Sequence, residues 1–177
     1  MKVSKSFVQA IGILVMLAEQ PRKCPLKSNI ISDRLGASHT YLLKIANKLK
    51  RAGLINAISS KNGGYYLQKN PNKITYLDIY QAVENELTID FNNSHVGELF
   101  ENQELVKKGK KQLTATLSQA ETAFNNELKK HHLTELVPKD ESGKLMVIDW
   151  SKRVWFLVIG PSKVKLVIAF TDRSWNK

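Results

Sequence analysis

Apolar side chains at Phe7, Ala10, Ile11, Leu14, Leu17 and Ala18 recur at three- and four-residue steps, which predicts an amphipathic helix over 6–19. Pro21 and Pro25 then mark a turn, because proline lacks a backbone donor and stops the helix. A short helix is predicted over 28–35, with Ile30, Ile31 and Leu35 inward and Gly36 suited to a left-handed cap. Ser38 stands as the N-cap of a third helix, which runs to about Ala52 and buries Tyr41, Leu42, Ile45 and Leu49. Beyond it the pattern shortens. Stretches 54–59 and 65–68 read as strands around a loop of Ser60, Lys61, Asn62, Gly63 and Gly64, whose glycines adopt positive φ at little steric cost. Two helices joined by a glycine-containing turn make a helix-turn-helix candidate, and the hairpin directly after it completes a winged helix.

A second pattern begins after residue 95. Leu99, Val106, Leu113, Leu117, Ala120, Phe124 and Leu128 recur at steps of seven, four and three, predicting one long helix over 96–132. An apolar stripe of that length on a mostly polar helix needs a partner, either the protein's own winged domain or a second copy. Stretches 145–150, 154–159 and 164–170 are short runs rich in Val, Ile and aromatics, which favours strands. They could form a small sheet against the long helix or add to another sheet; their role is not legible. The organisation expected is a winged domain over 1–85, a linker and long helix over 86–136, and an extension over 137–177. The fold class is mainly α (α+β).

Charge changes this picture. The 177 residues carry 27 Lys and Arg against 16 Asp and Glu, a net of +11. Residues 1–80 hold 13 of the basic side chains and only three acids, Glu19, Asp33 and Asp78. Residues 81–136 are by contrast net acidic. A basic lobe beside an acidic one points to a polyanion as partner. On the third predicted helix Ser38, His39, Thr40, Lys44, Asn47, Lys48 and Arg51 all avoid the apolar stripe. Positions 40, 44, 47, 48 and 51 lie at three- or four-residue steps and share a face. Hydroxyl and amide groups can read base edges while lysine and arginine hold phosphate. Lys61 and Asn62 at the tip of the hairpin extend that surface.

At this point the residues carry a resemblance. Ser38-x-x-Tyr41-Leu42 opens the third helix, and Leu49-x-x-Ala52-Gly53-Leu54-Ile55 leads into the hairpin. Gly63-Gly64-Tyr65-x-Leu67 closes it, followed by Ile74-Thr75-x-Leu77-Asp78-Ile79-x-x-Ala82-Val83-Glu84. In order and spacing residues 1–84 resemble the Rrf-type winged-helix regulators of bacteria. That family includes the iron–sulfur cluster regulator, the nitrite-sensitive repressor and the cysteine-metabolism repressor. The resemblance extends more weakly to about Leu136. It implies a homodimer joined by the long helix, acting as a repressor on a palindromic operator in double-stranded DNA, with half-sites about one turn or a multiple apart. It adds Ser38 and Tyr41 at the start of the reading helix, and Gly63, Gly64 and Tyr65 in the wing, to the expected DNA-binding residues.

The departures from the family matter equally. Some members hold an iron–sulfur cluster on three closely spaced cysteines after the winged domain, yet stretch 91–104 has none, and His95 is a lone candidate ligand. No cofactor is therefore expected. Ser59-Ser60 stands where many relatives have Arg-Gly, and Leu43 where many have glutamate, so the operator sequence does not carry over. The missing wing arginine motivates an alternative: an adaptor that keeps the fold without specific DNA binding.

Other classes find little support. No phosphate-binding glycine loop, zinc pattern or H-E-x-x-H is present, and the histidines His39, His95, His131 and His132 lie in no catalytic motif. An enzyme is not expected. No run approaches 18 apolar residues, and the basic start lacks a signal-peptide pattern, so a cytoplasmic protein without membrane contact is expected. The single cysteine, Cys24, lies among Arg22, Lys23 and Lys27, a setting that favours thiolate; an incidental loop cysteine is the plainer reading. The effector is not legible.

Overall fold

The computed structural model describes residues 4–21, 24–84 and 102–152. Five helices and one hairpin follow in the order α1 (Lys5–Glu19), α2 (Ser28–Leu35), α3 (His39–Arg51), β1 (Ile55–Ile58), β2 (Gly64–Leu67), α4 (Tyr76–Val83) and α5 (Gln103–Lys130). Each boundary has a local cause. Ser4 caps α1 by accepting from the Ser6 and Phe7 amides, Gly36 ends α2 in the left-handed region at φ 58°, and Ser38 caps α3. Thr75 and Asp78 form a reciprocal capping box at the start of α4.

The core joins the inner faces of α1, α2, α3 and α4. Ile13, Leu14, Ile31, Leu42, Ile45, Leu49, Leu54, Ile55, Ile74 and Ile79 are essentially excluded from solvent. Burial of this kind stabilises the domain by roughly 1.5–3 kcal/mol per large side chain. β1 and β2 pair antiparallel from Ile55 opposite Leu67 to Ile58 opposite Gly64. Leu26, just before α2, adds an isolated bridge to Tyr65, exchanging two backbone hydrogen bonds of 2.9 and 2.8 Å. The hairpin is thereby fastened to the helix-turn-helix.

Two expectations about the second half change. The long helix begins at Gln103, capped by the Asn102 side chain, rather than at 96. It packs against α4, with Phe124 edge-on to Tyr80 at 5.1 Å and Tyr80 in turn edge-on to Phe7 at 5.8 Å. Stretch 145–150 forms no strand ladder; its one bridge is Lys139 to Leu145. The reason is the partner it finds. It runs back over the C-terminal end of α1, where the Ile148 amide donates to the Glu19 carbonyl at 2.8 Å and the Trp150 amide to Gln20 Oε1 at 3.1 Å. The carbonyls of a helix end lack intrahelical donors, so an extended chain pairs there without a sheet. The Trp150 indole donates to Glu19 Oε2 at 3.0 Å, and Arg34 of α2 both overlies the Trp150 ring and donates to the Lys152 carbonyl. Residues 138–152 thus form a strap over α1 and α2. The runs at 154–159 and 164–170, and Leu99, lie outside the described residues.

Candidate nucleic-acid interface

The α3 helix presents three rows of side chains. Leu42, Ala46 and Leu49, with Ile45, are buried and hold the helix against the core. Thr40, Lys44, Asn47 and Arg51 form the opposite row, and all are exposed. Tyr41 and Lys48 lie on the border between them, and they are placed otherwise than the sequence suggests. Tyr41 is half-buried, its phenol 2.8 Å from Ser6 Oγ on α1. Lys48 turns its ammonium to the Val83 carbonyl at the end of α4, at 2.7 Å. Both side chains hold the helix in place. The outer row is therefore narrower than the shared face proposed from spacing, because a sequence does not show which neighbour a border residue meets.

At the start of α3, Ser38 Oγ accepts from the Tyr41 amide at 3.3 Å, and His39 Nε2 lies 2.9 Å from Ser28 Oγ on α2. Those contacts fix the helix-turn-helix angle and leave Thr40 and Lys44 outermost. In the wing, Lys61 and Asn62 are exposed at the tip. Gly63 and Gly64 serve the turn itself. A Cβ on Gly63 would stand 1.9 Å from the Ile58 carbonyl oxygen, and one on Gly64, at φ 154°, would stand 2.4 Å from that of Leu26. Tyr65 packs on the core, and burial pushes its phenol above the usual pKa. Tyr66, exposed on the outer face of β2, was not singled out in the sequence; the alternation of the strand is the signal that could have found it.

The electrostatics sharpen what composition suggested. Of the three acids in the basic lobe, Glu19 is 2% exposed under the strap and Asp78 is engaged in its capping box. Only Asp33 is left exposed to offset Lys27, Lys44, Lys50, Arg51, Lys61, Lys69 and Lys73 among the described residues. An exposed cationic ridge of helix and wing suits a phosphate backbone.

On the long helix, Val106, Leu117, Phe124 and Leu128 are half-buried, while Leu113 and Ala120 are exposed. Leu105 is 65% exposed and Leu113 47%, and no α5 residue is fully buried. The end of the stripe, at Phe124, is thus satisfied within the chain, and its earlier part is not.

Comparison with known proteins agrees with this architecture. Residues 3–139 match the model of the Rrf2 family, described as "Iron-dependent Transcriptional regulator". YwgB of Bacillus subtilis is 39% identical over 84 residues, 48% of this chain and 54% of that protein. The HTH-type transcriptional regulator CymR of Bacillus subtilis is 30% identical over 88 residues, 50% of this chain and 64% of that protein. The chain thus spans between half and two thirds of the length of the curated relatives it matches. Among solved structures, that of CymR, the global cysteine regulator of B. subtilis, superposes with a TM-score of 0.55 at 22% identity, over 77% of this chain and 95% of that one. T. potens IscR superposes at 0.54 and 24% identity, over 77% of this chain and 85% of that one. These two likenesses concern the fold.

The family description mentions iron, and the donors here do not fit a cysteine-ligated centre. Cys24 is the one cysteine of the chain and lies exposed in the turn before α2. Among the described residues no group of three or more His, Cys, Asp or Glu is arranged as a ligand set. No helix among them is long and apolar enough to cross a membrane. Capped recognition helix, bridged wing and a family match over 3–139 together mean that the chain belongs to the Rrf2 family of transcriptional regulators.

Proposed function

We propose that this protein is a DNA-binding transcriptional regulator that lays α3 in the major groove and the wing along the adjacent backbone. Thr40, Lys44 and Asn47 face base edges, Arg51 and Lys61 meet phosphate, and Ser38 and His39 orient the first turn. The observation that carries this reading is the exposed row Thr40, Lys44, Asn47 and Arg51 beside an exposed Lys61, in a lobe whose acids are largely withdrawn. The protein acts as a homodimer in the cytoplasm, joined through the exposed part of the α5 stripe, and represses from a palindromic site. Support for the dimer is a 28-residue helix without one buried residue, which is hard to keep in water unless its apolar row is covered.

The test is binding of the purified protein to duplexes selected from random sequence, compared with scrambled duplexes over a range of salt. Lys61→Ala should weaken both alike and lower the salt slope by about one unit per half-site. Lys44→Ala should change the preferred sequence, losing about 1–3 kcal/mol per base contact. An adaptor without DNA binding would bind neither duplex even in dilute salt.

A further inference from the structure

The border row of α3 deserves its own reading, because its two polar side chains close a circuit. Lys48 in the last turn donates to the carbonyl of Val83, the final residue of α4, at 2.7 Å. A helix C-terminus carries unpaired carbonyls and partial negative charge, so an ammonium is the natural partner there. The next residue, Glu84, accepts from both the amide and the hydroxyl of Ser4, at 3.3 and 2.5 Å. Ser4 is the N-cap of α1, and Ser6, two residues on, meets the Tyr41 phenol in the first turn of α3. The path therefore runs from the end of α3 to the end of α4, to the start of α1, and back to the start of α3. Apolar packing alone permits small rolling of a helix; two directional ties at opposite ends do not.

We propose that Lys48 is a positioning residue for DNA recognition: it sets the angle of α3 against the last turn of α4, and it holds no phosphate. This rests on α3 being the reading helix. The last turn of α4 thereby becomes the point from which the rest of the chain acts on recognition. α5, the next described helix, packs on α4, and a displacement of Val83 by about an ångström would take a 2.7 Å bond outside hydrogen-bonding range. A rotated α3 keeps its charges near the backbone but loses register with base edges, so specificity should fall while non-specific affinity stays.

The experiment compares wild type, Lys48→Met, Lys48→Arg, Tyr41→Phe and Lys61→Ala on a duplex selected by the wild-type protein and on a scrambled duplex, by fluorescence anisotropy at several salt concentrations. Lys48→Met should weaken the selected duplex about tenfold, the size expected for losing one charged hydrogen bond, with scrambled-duplex affinity and salt slope unchanged. Lys48→Arg, which can still donate to Val83, should restore the discrimination. Tyr41→Phe keeps the ring in the core and should repeat the loss in milder form, which covers the case that Lys48→Met folds poorly. Lys61→Ala should instead lower the slope. The inference is overturned if Lys48→Met lowers the slope as Lys61→Ala does and keeps discrimination, or if it matches wild type throughout. Failure of the underlying reading looks different: the wild-type protein enriches no sequence and shows no salt-dependent binding, and the inference falls with it.

Discussion

Replacing Trp150 by phenylalanine tests whether the strap is part of the folded unit. The ring volume is largely kept, but the indole N–H that donates to Glu19 at 3.0 Å is lost. Glu19 is 2% exposed, so its carboxyl cannot recover a full water shell. Leaving a buried acceptor short of a donor costs about 1–3 kcal/mol, so about 2 kcal/mol is expected. For a chain of this length that lowers the melting temperature by roughly 4–8 °C. The pH dependence has a definite sign. Burial raises the Glu19 carboxyl above its ordinary 4.5, and the Trp150 hydrogen bond partly offsets this. A carboxyl whose folded pKa is raised contributes its full stability below the unfolded value and loses it as pH rises through the folded one. At neutral pH the fold therefore carries a buried carboxylate, and the indole donor matters most there. The cost of Trp150→Phe should be larger at about pH 7.5 than near pH 4.5. Urea unfolding of wild type, Trp150→Phe, Glu19→Leu and the double variant measures it. In the Glu19→Leu background no acceptor remains, so Trp150→Phe should cost little, with a coupling of about 1–2 kcal/mol. An equal cost in both backgrounds, or none in either, would refute the latch.

Three further expectations follow from particular contacts. Gly64→Ala forces a Cβ to 2.4 Å from the Leu26 carbonyl oxygen, where two backbone hydrogen bonds prevent retreat, and should cost about 2–4 kcal/mol in urea unfolding. Hydrogen exchange should show the loss concentrated in the wing and at Leu26. Leu113→Asp changes a side chain 47% exposed in the protomer, so it should leave the melting of the winged domain within about 0.5 kcal/mol while sedimentation shifts from dimer to monomer. His131 is held above its ordinary 6.5 by the Glu135 carboxylate first and by Glu127 second. Its contribution to stability is therefore complete below the ordinary value and lost as pH rises through the raised one. An NMR titration should place its midpoint above 6.5, and Glu135→Gln should bring it down.

The winged domain was legible because its signals are local. Ser38 and Gly36 announce α2 and α3 through cap chemistry, and Gly63-Gly64 announces a turn that no other residue pair would fit. Thr40, Lys44 and Arg51 could be placed on the outer row from helical period alone. Lys48 and Tyr41 could not, since a border residue is assigned by a partner distant in sequence: Val83 and Ser6 stand 35 residues away in each case. The same limit hid the strap. Its apolar run has strand composition, and only the unpaired end of α1, 131 residues earlier, makes it a helix-end partner instead. The start of α5 was misplaced because the apolar period continues upstream of Asn102, whose side chain nevertheless caps the helix.

The strap also dictates an order of events during synthesis. The last turn of α1 leaves the ribosome early, carrying Glu19 with no donor for its carboxyl. Its partner Trp150 is made 131 residues later, which at bacterial rates of about 5–20 residues per second is a delay of roughly 7–26 s. Through that interval the nascent helix-turn-helix, already complete in sequence, must hold Arg34 and the end of α1 uncovered. Ribosome-bound chains ending just before and just after the strap should therefore differ in protease sensitivity at the α1–α2 turn, although neither differs there in sequence.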